Sequence, residues 1–218
     1  MAAGPSRVLL GAFLLVAGVD LAAVLVGADL AHVIAKPLLM PLLAAYAASR
    51  GAPRLLVLAL LFGWGGDVFL LPDADWAFLV GMGSFAAGHV CYLTLFGRAR
   101  APALLGPGYA VVLVVAVALL WPDLPAELRV PVAAYSLLLA AMAYRAGSLG
   151  PRTAAGGALF LLSDTLIATD IAEWPQLPAS DFWVMSTYVA AQFLLTTGLL
   201  TTDRATARTS PRARGITK

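Results

Sequence analysis

Apolar residues fill eight stretches of the chain, at about residues 7–26, 31–49, 55–71, 76–96, 106–121, 128–144, 153–169 and 182–202. Turn formers separate them, among them Gly51-Ala52-Pro53, Pro72-Asp73, Gly106-Pro107, Trp121-Pro122 and Gly150-Pro151, where glycine and proline break regular structure. A bilayer crossing takes about 20 apolar residues, so the pattern predicts an all-α polytopic membrane protein of eight transmembrane helices. Eight spans with short loops nearly exhaust the chain. The expected organisation is one domain over residues 1–203 and a basic, disordered cytoplasmic tail over 204–218. Arg7 followed by Val8 to Val19 looks like a secretory signal, with Val26-Gly27-Ala28 as its small-residue cleavage site. The apolar run continues to Val26, however, and seven more follow, so it is read as the first span.

Composition supports a bilayer environment: 61% of the residues are hydrophobic and 12% charged, against roughly 45–50% and 25% in soluble domains. Arg50 and Arg54 follow the second span, Arg98 and Arg100 the fourth, Arg145 and Arg152 the sixth, and Arg204, Arg208, Arg212, Arg214 and Lys218 the last. The alternate loops carry Asp29, Asp73, Asp75, Asp123, Glu127, Asp170, Glu173 and Asp181, with Arg129 the one basic residue near that side. Positive charge collects in cytoplasmic loops, so both termini are expected in the cytoplasm of a plasma-membrane protein. Trp76, Trp121, Trp174 and Trp183 fall at the outer ends of spans, where an interfacial aromatic belt belongs. Because orientation accounts for the basic residues, no nucleic-acid partner is expected. The single cysteine, Cys91, forms no intramolecular disulfide and no cysteine metal cluster. With only His32 and His89 as histidines, no metal site and no cofactor are expected.

Removing the loops leaves Asp20, Lys36, Asp67, His89 and Asp164 inside the spans. An ionisable side chain at mid-bilayer costs roughly 2.5–3.5 kcal/mol on insertion scales and usually faces a bundle interior or a wet cavity. Counted at about 1.5 Å per residue, Asp20, Asp67, Asp164 and Lys36 share the outer half of the membrane. Tyr188 and Gln192, four residues apart on one helix face, reach a similar depth. His89 and Tyr92, three apart, sit deeper and are expected to line a floor. Some of these residues have equally good structural readings. Lys36 snorkels to headgroups or binds an anion, Asp20 is its ion-pair partner or part of the site, and His89 is a helix contact or an acid–base group. Ser163 bonds back to its own helix or serves as a nucleophile, and Gln192 is interhelical glue or a site residue. Asp67 and Asp164 are the strongest functional candidates, since asparagine would serve as glue at less cost. Gly63, Gly65 and Gly66 leave room beside Asp67 for another helix, a water or a substrate chain.

Three aspartates against one lysine leave an unbalanced negative charge in a low-dielectric site. Desolvation and like-charge repulsion both favour the neutral carboxylic acid, so at least one aspartate is expected to hold a proton. A carboxylic acid beside a carboxylate suits general acid–base hydrolysis or an oxocarbenium-like transition state. A weak internal echo links Leu42-Leu43-Ala44-Ala45 to Leu138-Leu139-Ala140-Ala141, and Leu61-Phe62 with Asp67 to Leu159-Phe160 with Asp164, at offsets near 97 residues. It suggests two parallel four-helix repeats with the two aspartates in equivalent places.

Five ordered motifs carry a family likeness: Lys36-Pro37 with Leu38-Leu39-Met40-Pro41, Gly66-Asp67, Gly88-His89-Val90-Cys91-Tyr92, Leu162-Ser163-Asp164-Thr165-Leu166-Ile167-Ala168, and Tyr188-Val189-Ala190-Ala191-Gln192. Together they resemble the lysoplasmalogenase, or YhhN-like, membrane family across spans two to eight. The resemblance implies an eight-span hydrolase that cleaves the vinyl ether of a lysophospholipid to a fatty aldehyde and a glycerophospho-base. It also implies catalysis by intramembrane aspartates matching Asp67 and Asp164 with no required metal. In that frame Gly81, Ser84 and Gly88 are expected to leave a slot for the lipid chain, and Lys36 to meet its phosphate. Two other classes fit the same carboxylates: a small-molecule or proton-coupled transporter, and a noncatalytic lipid-binding or scaffold protein.

Overall fold

The computed structural model describes residues 4–72 and 74–209, with side chains as far as Thr202. Asp73, expected among the outer loop acids, and residues 210–218 of the expected tail lie outside the described residues. Eight α-helices follow in order: α1 (Pro5–Val26), α2 (Asp29–Ser49), α3 (Arg54–Phe69), α4 (Asp75–Phe96), α5 (Leu105–Leu120), α6 (Ala126–Ala146), α7 (Pro151–Ile171) and α8 (Ser180–Thr209). One 3-10 turn, Gly147–Leu149, links α6 to α7, and no strand occurs among the described residues. The helix of α8 continues to Thr209, into the stretch expected to be tail.

Six of these helices are long and apolar enough to cross a membrane. The other two, α3 and α5, have 16 residues each. At 1.5 Å per residue that is about 24 Å, short of a hydrocarbon core of about 30 Å. The chain is therefore an integral, multi-pass membrane protein with at least six helices of spanning length. Trp76, Trp121 and Trp183 project outward with 62%, 40% and 45% of their surface exposed, while half-buried Trp174 donates to Asp123 from the α7–α8 loop.

The segment Val26-Gly27-Ala28 is a tight turn between two helices. Gly27 ends α1 in the left-handed region at φ 69°, a conformation open to glycine because it lacks a Cβ. The Ala28 N–H then returns to the Ala23 carbonyl at 2.8 Å. This closes α1 onto α2 and brings Asp20 opposite His32.

Glycines set the α3–α4 contact. A Cβ on Gly81 would lie 3.2 Å from the Gly66 carbonyl oxygen, and one on Gly88 would lie 3.2 Å from that of Ala59. Ser84 donates to the Phe62 carbonyl at 2.6 Å. The three small residues expected to leave a lipid slot are thus occupied by α3 itself. Small faces let two helices approach until backbone meets side chain, and here that approach is complete.

Space opens elsewhere. Helix α5 is peripheral, with Leu120 its only buried residue, and an apolar groove lies among α4, α5, α6 and α7. At the end of the groove beside the α5–α6 and α7–α8 loops lies a small second core of Leu120, Leu124, Val132 and Ala172, against which Met82 and Trp174 pack. The main core holds the α1–α4 and α6–α8 interiors together around Phe13, Leu39, Leu60, Phe85, Tyr92, Phe160 and Leu195.

Candidate active site

Asp67 is 1% exposed and Asp20 fully buried; both therefore depend on partners inside the protein. Asp67 finds its partner on α8, where the Tyr188 hydroxyl donates to Oδ2 at 2.8 Å. Gln192, one turn further along, directs Nε2 toward the Tyr188 oxygen at 3.5 Å and accepts at Oε1 from the Tyr92 hydroxyl at 2.6 Å. Every donor in this series points toward Asp67, so the carboxylate terminates a chain begun on α4. Chains of this kind polarise each other in a medium of low dielectric.

The glycines before Asp67 make this network possible. A Cβ on Gly63 would stand 2.9 Å from Gln192 Nε2 and 3.2 Å from the Tyr188 hydroxyl. One on Gly66 would stand 2.4 to 2.6 Å from three atoms of the Phe85 ring. The room beside Asp67 is thus filled by α8 side chains and by an aromatic ring. That ring packs edge-on against Tyr188 and Phe160, with centroids at 5.8 and 6.1 Å.

Asp164 belongs to a second network. It accepts a short hydrogen bond from the Tyr135 hydroxyl of α6, and His89 Nε2 lies 3.0 Å from the same hydroxyl. Because Tyr135 gives its proton to the carboxylate, this arrangement has His89 donate through Nε2 and leaves Nδ1 without a proton. Nδ1 is buried and has no partner, in keeping with a neutral imidazole. His89 and Tyr92 are therefore not a shared floor. Each serves a different aspartate: His89 reaches Tyr135 of α6, and Tyr92, on another turn of α4, reaches Gln192 of α8.

Asp20 pairs with His32, Oδ1 to Nδ1, at 2.9 Å. Lys36, the partner expected for it, is half-buried and within electrostatic range of both Asp20 and Asp67. It forms no hydrogen bond or close ion pair among the described residues. Asp67 also lies within electrostatic range of Asp164. Ser163 is buried and donates across to the Val184 carbonyl of α8 at 3.0 Å, neither back to its own helix nor toward His89. It joins α7 to α8, facing away from the Tyr135 side of α7, as the rotation of about 100° between helix neighbours requires.

The two aspartates differ most in access. Asp164, Tyr135 and Ser136 line the groove behind α5, which is open on one side. Asp67 does not line it. Phe85 does, and the same ring covers Gly66. Neither Tyr135 nor His32 figured among the sequence candidates, and hydropathy carries no mark that singles out Tyr135. Among the described residues no group of three or more His, Cys, Asp or Glu side chains is placed to hold a metal ion.

Comparison with known proteins bears on this arrangement. The chain is 36% identical over 156 residues to "Lysoplasmalogenase TMEM86B" of Homo sapiens, covering 70% of this chain and 66% of that protein. The Sus scrofa protein of the same name is 40% identical over 143 residues, 63% of this chain and 59% of its own. "Lysoplasmalogenase" of Mycobacterium tuberculosis is 35% identical over 161 residues, 66% and 60% of the two chains. The chain thus spans about two thirds or less of the length of these curated relatives. No solved structure gives a significant match. The model of the YhhN family matches residues 31–199, from the first turn of α2 through most of α8 and across both aspartate networks, and the chain belongs to that family.

Proposed function

We propose that this protein is an intramembrane lysolipid hydrolase that cleaves the vinyl ether of a lysoplasmenyl phospholipid, with Asp67 and Asp164 as its paired carboxyl groups. The observation that carries this reading is Asp164: a carboxyl group bound to Tyr135 and opening on an apolar groove between the helices. The relatives named lysoplasmalogenase give the reading its substrate class.

The chemistry follows from the substrate. A vinyl ether, R–CH=CH–O–R′, is activated when a proton adds to the carbon remote from oxygen and leaves an oxocarbenium ion. Water then adds to that ion and loses a proton, and the hemiacetal collapses to the aldehyde R–CH2–CHO and the alcohol HO–R′. Asp164 in its acid form supplies the first proton. Asp67, which accepts from Tyr188 and feels Lys36, holds the balancing negative charge that stabilises the cation across the bundle. Preorganised charge in a water-poor site is the strongest form of such stabilisation. Tyr135 and His89 orient the Asp164 carboxyl, and Tyr188 and Gln192 that of Asp67. In the membrane, all eight helices cross, α3 and α5 as short spans met by local thinning of the bilayer, with both termini in the cytoplasm of the plasma membrane.

The test is aldehyde release from a defined lysoplasmenyl lipid by purified protein in detergent. Asp67→Asn and Asp164→Asn keep the shape of each site while removing its ionisation, and each is expected to abolish turnover in folded protein. Groups that act as a unit are strongly non-additive; the double variant should be scarcely worse than the poorer single one. Near-normal turnover in either single variant refutes the paired mechanism, and absence of aldehyde from the unsubstituted protein refutes the hydrolase reading.

A further inference from the structure

The groove behind α5 is apolar over most of its wall, with Phe78, Met82, Val112 and Leu161 among its lining. Its polar lining is confined to Arg129, Tyr135, Ser136, Asp164 and Thr165. Arg129 lies in the first turns of α6 at the outer end, and Tyr135, bound to Asp164, is six residues further along the same helix. Six residues rise about 9 Å.

Arg129 is held in place but not neutralised. Its Nε donates to the Leu124 carbonyl and Nη2 to the Pro122 carbonyl, both at 3.1 Å. A guanidinium has five N–H donors, so most of its outward fork is uncommitted. No carboxylate pairs with it among the described residues, and the neighbouring Asp123 accepts instead from Trp174. It is a fixed cation on a side of the membrane whose loops are otherwise acidic. Loop orientation disfavours a cation there, which leaves its presence without an explanation in topology.

In a glycerophospholipid with one ether-linked chain, five bonds separate the ether oxygen from phosphorus, an extended span of about 6 Å once bonds of about 1.5 Å are laid end to end at tetrahedral angles. That span is of the same order as the rise of about 9 Å along α6 from Arg129 to Tyr135, whose hydroxyl is bound to Asp164. We propose that the groove among α4, α5, α6 and α7 seats a single-chain ether glycerophospholipid, with Arg129 on its phosphate and the first carbons of its chain beside Asp164. The rest of the chain leaves along α5 through the open side of the groove. Arginine suits this task because its planar fork matches two phosphate oxygens. Lys36, expected from sequence to meet the phosphate, does not line the groove. This inference rests on the hydrolase reading and adds to it the substrate's path, its polarity and a specificity residue.

The experiment compares two substrates that share a chain, 1-O-alkenyl-glycerophosphocholine and 1-O-alkenylglycerol, which lacks phosphate. Arg129→Gln should erase the preference for the phosphorylated substrate, by about tenfold or more in the ratio of kcat/KM, as expected for a lost charge-assisted hydrogen bond. Most of the change should sit in KM. Arg129→Lys should restore part of it, and Lys36→Gln should leave the ratio as it was. Ala116→Trp, which fills the groove from α5, should block both substrates. Binding of the uncleavable 1-O-alkyl-glycerophosphocholine and 1-O-alkylglycerol, read as thermal stabilisation of the same variants, separates the two readings. Arg129-dependent binding without any vinyl ether cleavage would remove the hydrolase and keep the site. Cleavage with an unchanged substrate ratio in Arg129→Gln, an equal loss for both substrates, or a ratio that follows Lys36 would remove the site and keep the hydrolase. Neither cleavage nor binding would overturn both.

Discussion

Replacing Tyr188 with Phe deletes one oxygen atom and leaves the ring. The ring keeps its edge-on contacts with Phe85 and Phe160, whose centroids lie 5.8 and 5.5 Å away, so the α7–α8 interface should stand. What disappears is the 2.8 Å donor to Asp67 Oδ2. A hydrogen bond to a charged group contributes about 1.5–3 kcal/mol, and each 1.4 kcal/mol is about tenfold in rate. If Asp67 works as a carboxylate, kcat/KM for aldehyde release should therefore fall by about 10- to 150-fold. Little is lost on the other side of the hydroxyl, because the contact from Gln192 Nε2 is already at 3.5 Å. Tyr92→Phe supplies the control. It removes a neutral 2.6 Å bond to Gln192 Oε1, two links from the carboxylate, and should cost less than tenfold in turnover while lowering stability by about 1 kcal/mol. The assay is steady-state aldehyde release with the thermal midpoint in detergent as the folding control. Activity of Tyr188→Phe within about threefold of the unsubstituted protein, or an equal loss in Tyr92→Phe, would refute the idea that the donor chain serves Asp67.

Gly66→Ala would place a methyl carbon 2.4 to 2.6 Å from the Phe85 ring, about 1 Å inside the usual contact distance of 3.5–4.0 Å. Overpacking of this kind costs about 1–3 kcal/mol, more than the roughly 1 kcal/mol that alanine gains over glycine in a helix. Unfolding in detergent should show the loss, and Phe85→Ala combined with Gly66→Ala should show a favourable coupling; simple additivity would contradict the contact. For topology, a reporter fused after Lys218 should be active only on the cytoplasmic side, and activity confined to the outside would reverse the proposed orientation.

Hydropathy along one dimension was enough to locate the helices, because the cost of exposing peptide groups to hydrocarbon leaves few alternatives to a helix. All eight apolar stretches correspond to helices, with ends that agree within two residues except at the C-terminal end of α8, which runs on from the expected 202 to Thr209. The same reasoning marked Asp67 and Asp164 as costly residues in need of partners. Which partners they have was not legible, since that depends on how each helix is rotated and which neighbour it meets. Tyr135 looks like any aromatic core residue until α6 turns its hydroxyl onto Asp164. His32 lies near the start of α2 with nothing in its sequence neighbourhood to mark it, and the Gly27 turn brings it to Asp20. Gly81, Ser84 and Gly88 were expected to leave room for a lipid chain, but α3 fills that space, and the groove opens instead behind α5, which buries only one residue. Arg129 was visible in the sequence as a lone outer cation, and the tertiary structure set it on the same groove as Asp164. A sequence lists side chains and their depth, whereas the meeting of two side chains from different helices is decided by packing.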